Sequence, residues 1–181
     1  MRARVLREMG LADRSRCGFR MRNVARMREL RVDKVERALL THLQTDGRAT
    51  AEELGQALNL SASQAARRRA ALEARGLVQG YVARVDPARA GLAVQAFVQV
   101  EMASHAPDAA RALSRRLEAI PEVVSAWTLT GEADYLLRVF CADLPALNRL
   151  VHEVLLPHPS VARVRSQIVM DQFKADGPLP V

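Results

Sequence analysis

The chain has 181 residues, enough for one medium domain or two small ones and too few for a large multidomain enzyme. Hydrophobic residues make up 49% and charged residues 26%, a globular balance that excludes wholesale disorder, and no apolar run reaches the roughly 18 residues of a membrane span. The formal net charge of +7 lies wholly in residues 1–31, where ten Arg face only Glu8, Asp13 and Glu29, so nucleic-acid binding by the remaining, neutral chain has to be argued from local pattern.

Residues 1–31 show no sustained helical or strand period and contain Met9, Met21 and Met27. They read as a disordered basic extension, or as an over-called start with translation beginning at Met21 or Met27. From Val32 the pattern sharpens. Val32, Val35, Leu39, Leu40 and Leu43 follow helical spacing, with Asp33 and Glu36 placed to cap the start and Gly47 to stop it. Thr50-Ala51-Glu52-Glu53 is a capping box ahead of Leu54, Ala57 and Leu58. Ser61-Ala62-Ser63-Gln64 is another, ahead of a helix that runs to the stop at Gly76. Two capped helices joined by the short turn Asn59-Leu60 predict a helix-turn-helix. Residues 77–85 are short and partly alternating and read as a β wing, giving a winged helix-turn-helix over 32–85. Asp86-Pro87 breaks the pattern and opens a linker over 86–93.

The second half changes period. Val94, Ala96, Val98, Val100 and Met102 alternate with polar neighbours, as in a strand with one apolar face. Pro107 opens a helix bearing Ala110, Leu113, Leu117 and Ile120. Val123 to Thr130 and Tyr135 to Cys141 read as strands joined by a turn at Gly131-Glu132. Asp143 caps a helix bearing Leu147, Leu150, Val151 and Val154, and Val161 to Met170 reads as the last strand. The order βαββαβ over 94–174 is the ferredoxin-like split βαβ, so the fold class is α+β, with residues 175–181 as a tail.

The chemistry concentrates in two places. The helix after Ser61 carries Arg67, Arg68 and Arg69 in a row. A recognition helix needs its N-terminal half at base edges, which puts Ser61, Ser63, Gln64, Arg67 and Arg68 forward as DNA contacts. The alternative is a solvated basic face. Arg69 is awkward, because it shares the stripe of Ala65 and Leu72, so its stem is expected to pack while its head reaches water. The second place is Thr130-Gly131-Glu132-Ala133-Asp134-Tyr135. Gly131 permits close backbone approach, free amides there suit a carboxylate, and Asp134 suits an ammonium, so Thr130, Gly131, Asp134 and Tyr135 form a candidate site for an α-amino acid. The alternative is a plain polar hairpin turn.

Little else points to chemistry. His42, His105, His152 and His158 lack metal-ligand spacing, and no phosphate loop or hydrolytic triad appears, so neither metal nor cofactor is expected. Cys17 and Cys141 make no disulfide framework, Cys141 reads as a core residue, and Trp127 as a core or interface residue. With no cleavable leader, a reduced cytoplasmic protein is expected.

Together these residues resemble the Lrp/AsnC family of feast/famine transcription regulators. The stretch from Val32 to Leu40 and then Leu43-Gln44-Thr45-Asp46-Gly47-Arg48 looks like that family's first helix. Leu60-Ser61, Arg67-Arg68, Leu72-Glu73 and Gly76-Leu77-Val78-Gln79-Gly80-Tyr81 resemble its recognition helix and wing, and Thr130-Gly131 with Asp134-Tyr135-Leu136-Leu137 its ligand-sensing signature. The resemblance covers about residues 32–174. It implies a regulator of double-stranded DNA that forms homodimers and larger homo-oligomers, with small effectors, usually amino acids, bound between dimers near the Gly-x-x-Asp turn, and no membrane association. Arg69 departs from the apolar residue often found there in the family, and Ala65 and Ala66 from bulkier ones. Two other readings share features of the pattern: a siroheme-decarboxylase-like heme-pathway enzyme of the same two-domain architecture, without its His-rich segment here, and a sequence-tolerant DNA-organising protein.

Overall fold

A computed structural model describes residues 32–181; the expected basic extension at 1–31 lies outside the described residues. The chain divides into two compact units, residues 32–80 together with Leu179–Val181, and Tyr81–Pro178.

The first unit is built from three capped helices: α1 (Lys34–Thr45), α2 (Ala51–Leu58) and α3 (Ala62–Ala74). Each begins with a reciprocal capping box. Asp33 with Glu36, Thr50 with Glu53, and Ser61 with Gln64 each satisfy two backbone N–H groups that the helix itself leaves without acceptors. Those hydrogen bonds hold the carboxyls of Asp33 and Glu53 below their ordinary values. For Asp33 the Glu36 N–H is the first cause and the Arg68 guanidinium the next; for Glu53 the Thr50 N–H leads and the Thr50 hydroxyl follows. Leu39, Leu40, Leu43, Ala49, Leu54, Ala65 and Leu72 make one buried cluster. At the tail, the Gln44 side-chain amide accepts from the Leu179 N–H and donates to the Leu179 carbonyl.

Between α2 and α3 the chain reverses through Asn59, which sits in the left-handed region at φ 53, ψ 46. The Leu60 N–H donates to the Gly55 carbonyl at 2.8 Å. Gly55 is buried inside α2, and a Cβ there would stand 2.7 Å from the Leu60 carbonyl oxygen. Only glycine lets the turn close this tightly. Gly55→Ala is expected to destabilise the protein by about 1–3 kcal/mol, read as a lower urea midpoint with unchanged slope.

The expected β wing is not formed within the chain. Residues 79–85 are irregular, and Val82 is 89% exposed. The alternation in the sequence is real, but a strand needs a neighbour to take its N–H and C=O groups, and no described segment pairs with this one.

The second unit holds β1 (Val94–Met102), α4 (Pro107–Glu118), β2 (Val123–Thr128), β3 (Tyr135–Cys141), α5 (Leu144–Arg149) and β4 (Val161–Ile168). After α5 the helix widens into π-type turns over Leu150–Leu155. All pairings are antiparallel in the order β2-β3-β1-β4, which is the ferredoxin-like topology expected from the sequence. The β1–β3 register pairs Ala96 with Val139, Val98 with Leu137, and Val100 with Tyr135. One sheet face therefore carries all of these side chains, and it is buried against Leu113 and Leu117 of α4 with Ile120 just after it, and against Leu147 of α5 with Leu150 and Leu155 beyond it. Cys141 ends this row and is buried, which pushes its thiol up from its ordinary value. Trp127 is not in the core. It is 45% exposed on β2, an edge strand, where alternation alone does not fix which residues find cover. On the opposite face Arg138 lies over the Phe140 ring and pairs with Asp176 at 3.2 Å.

Candidate functional site

In the first unit, α3 buries Ala65 and Leu72 and exposes Ser63, Gln64, Ala66, Arg67, Ala70 and Ala74. Ser61 and Gln64 hold one another in the capping box, and the Ser63 hydroxyl lies 3.1 Å from that of Ser61. Arg67 is exposed and makes no ion pair among the described residues. Arg68 is half-buried, with Nη1 2.8 Å from Asp33 Oδ2. The sequence placed Arg67 and Arg68 together, but the fold pairs Arg68 with Asp33 and leaves Arg67 exposed.

Arg69, the awkward residue of the stripe, is accommodated by polar partners. Its Nε lies 3.1 Å from Glu73 Oε1, one helical turn on, and its Nη1 donates to the Ala49 carbonyl at 3.0 Å. The guanidinium ties α3 to the start of α2 instead of reaching freely into water. Sequence spacing alone misses this, because Ala49 is 20 residues away.

In the second unit, residues 130–135 join β2 to β3. The Leu129 N–H donates to the Asp134 carbonyl at 2.9 Å, and the Asp134 N–H to the Val100 carbonyl at 3.0 Å. Between them, the backbone N–H groups of Thr130, Gly131, Glu132 and Ala133 donate to no protein acceptor among the described residues. Gly131 has φ +120, and nothing lies within 4 Å of where its Cβ would be. The turn thus offers unpaired donors and open space, the two features an incoming carboxylate needs.

Asp134 is more engaged than its place in a turn suggests. Its Oδ2 accepts the Met102 N–H at 2.7 Å, and its Oδ1 lies 3.3 Å from His105 Nδ1. It therefore fastens the end of β1 to the turn with one oxygen, while the other lies beside the exposed His105 ring. His105 is itself exposed, and nothing local in the sequence signals its approach to Asp134. Tyr135 points the other way. Its ring is buried under α4, and its hydroxyl lies 3.3 Å from Ser114 Oγ and 3.5 Å from the Ala110 carbonyl. Thr130, Gly131 and Asp134 stand together at the turn, and the Tyr135 side chain does not join them. Among the described residues no His, Cys, Asp or Glu group is arranged to hold a metal ion.

Comparison with known proteins decides what these two units are. An AsnC-type helix-turn-helix domain matches residues 32–73, and an Lrp/AsnC ligand binding domain matches residues 95–179. The chain belongs to the Lrp/AsnC family. It is 32% identical over 150 residues to the DNA-binding transcriptional activator DecR of Escherichia coli (strain K12), covering 83% of this chain and 99% of that protein. Among solved structures it is similar to a transcriptional regulator of Neisseria meningitidis in its L-Met complex, at 37% identity and a TM-score of 0.80, covering 83% of this chain and 97% of that one. It is also similar to the feast or famine regulatory protein of M. tuberculosis complexed with L-methionine, at 39% identity and a TM-score of 0.73, covering 81% and 97%. As an Lrp/AsnC protein the chain is a DNA-binding transcriptional regulator with a ligand-binding second domain. No described helix is long and apolar enough to cross a membrane.

Proposed function

We propose that this Lrp/AsnC regulator senses an amino acid at residues 130–135 and adjusts its grip on double-stranded DNA in response, acting as a homodimer or larger homo-oligomer and not as an enzyme. The observation that carries this reading is the turn itself, where four unpaired N–H groups around Gly131 stand beside the Asp134 carboxylate. Donors for a carboxylate and an acceptor for an ammonium are what a free α-amino acid requires. The L-methionine in two structural relatives supports the ligand class and makes methionine the first to try. Thr130, Gly131 and Asp134 meet the ligand, and Tyr135 anchors the turn from below. On the DNA side, the end of α3 bearing Ser61, Ser63, Gln64, Arg67 and Arg68 enters the major groove. Binding at the turn favours one subunit assembly over another, and DNA affinity shifts with it.

The test is a mobility shift on DNA upstream of the protein's own gene, with and without each of the twenty amino acids at millimolar levels. The expected result is a specific shift that at least one amino acid, methionine first, strengthens or weakens. A shift that none of them alters would refute the sensing half of the proposal and leave the DNA-binding half standing.

A further inference from the structure

The four arginines at the end of the helix-turn-helix divide by partner. Arg69 is held by Glu73 and the Ala49 carbonyl. Arg68 Nη1 lies 2.8 Å from Asp33 Oδ2, and Arg75 Nη1 lies 2.6 Å from Glu36 Oε1. Asp33 and Glu36 are the two members of the α1 capping box, and each splits its oxygens. Asp33 accepts the Glu36 N–H at Oδ1 and receives Arg68 at Oδ2. Glu36 accepts the Asp33 N–H at Oε2 and receives Arg75 at Oε1.

The cap therefore fixes both carboxylates before either arginine arrives, so little further side-chain freedom is lost in forming the pairs. Arg75, the C-cap residue directly after α3, follows Arg68 by seven residues, about two turns on and on the same side of the helix. Two such points fix both the rotation of α3 about its axis and its tilt against α1. Rotation matters because neighbouring residues on a helix point about 100° apart, and a base edge accepts a side chain over a much narrower range.

We infer that Arg68 and Arg75 are positioning residues seated on Asp33 and Glu36, and that Arg67 is the arginine of α3 that reads DNA. This rests on the reading of α3 as the groove-entering helix and divides the labour within it. The opposite assignment, Arg68 as a direct phosphate or base contact, makes Asp33 a competitor for its guanidinium.

The two assignments give opposite signs for Asp33→Asn. Asparagine still caps a helix, so the variant drops the charge and keeps the N-cap; Glu36→Gln does likewise at the other point. The quantity to measure is the ratio of operator to scrambled-DNA affinity at fixed salt, because partial unfolding lowers both affinities together and leaves the ratio alone. Asp33→Asn, Glu36→Gln and Arg68→Gln are each expected to lower the ratio by about tenfold. Asp33→Asn/Arg68→Gln should be no worse than the poorer single variant, because both remove one interaction. Arg68→Gln should keep the wild-type dependence of affinity on salt.

A raised or unchanged ratio in Asp33→Asn and Glu36→Gln, or a salt slope in Arg68→Gln that falls by about one, would overturn the inference. Arg67→Ala separates the two levels. If it changes neither affinity, the groove-entering role of α3 is itself wrong; if it lowers both alike, Arg67 grips phosphate and its reading role fails; if it lowers the ratio while the Asp33 and Glu36 variants do not, only the positioning role fails.

Discussion

Arg67→Ala is expected to weaken operator binding by about 1–3 kcal/mol and to relax preference at one base position. The expectation comes from what surrounds the residue. Arg68, Arg69 and Arg75 all have protein partners, whereas Arg67 stands exposed on the outer face of α3 beside Ser63, Ala66 and Ala70. Small neighbours let the helix backbone come close to the groove floor, and a long planar guanidinium then reaches a guanine edge with two parallel hydrogen bonds. Alanine removes those bonds and adds no clash, so the loss should appear at one base pair and not across the site. Quantitative mobility shifts on an operator library, at one stated salt concentration, give both the affinity and the relaxed position. A uniform loss over all sequences would instead make Arg67 a phosphate contact.

The second large effect is expected at the sensing turn. Asp134→Asn should weaken amino-acid binding by about 1.5–3 kcal/mol, the worth of a charge-assisted hydrogen bond, while apo DNA binding stays near wild type. Asparagine is the informative substitution because Asp134 does two jobs. Its Oδ2 fastens the Met102 N–H at 2.7 Å, and an amide oxygen can keep that bond while the charge is lost. Asp134→Ala removes the acceptor too and loosens the end of β1, so its phenotype would mix sensing with folding. Gly131→Val gives an independent check. A β-branched residue at φ +120 is strained, and its side chain would fill the open space over the free N–H groups. Calorimetric titration of both variants against the amino acid that wild type binds measures the loss directly.

Features set by near neighbours in the chain were legible. The three capping boxes need only residues three apart, and all three form as the sequence predicts. The inward faces of β1 and β3 follow strict alternation, and together with the order of helices they gave the ferredoxin-like topology. What depends on distant partners was not legible. Arg68 and Arg75 find Asp33 and Glu36 across 35 and 39 residues, so the run Arg67-Arg68-Arg69, which looked uniform, separates into one outward and two tethered side chains. The Gly55 contact with Leu60 needs the turn already closed. The wing over 79–85 failed for a related reason: periodicity shows that a segment is strand-like, not whether anything pairs with it, and it likewise could not say that Trp127 lies outside the core of the chain. At the turn, Gly131 and Asp134 stood out by type, but the Met102 and His105 contacts of Asp134 come from β1 and the segment after it, 32 and 29 residues earlier in the chain.

On the proposed function, amino-acid occupancy of the turn changes DNA binding. Its most direct test is the operator affinity of wild type and Asp134→Asn titrated with the same amino acid, methionine first. The wild-type affinity is expected to change with amino-acid concentration, and the variant's affinity to stay flat while its apo value matches wild type. Equal responses in the two proteins would contradict it.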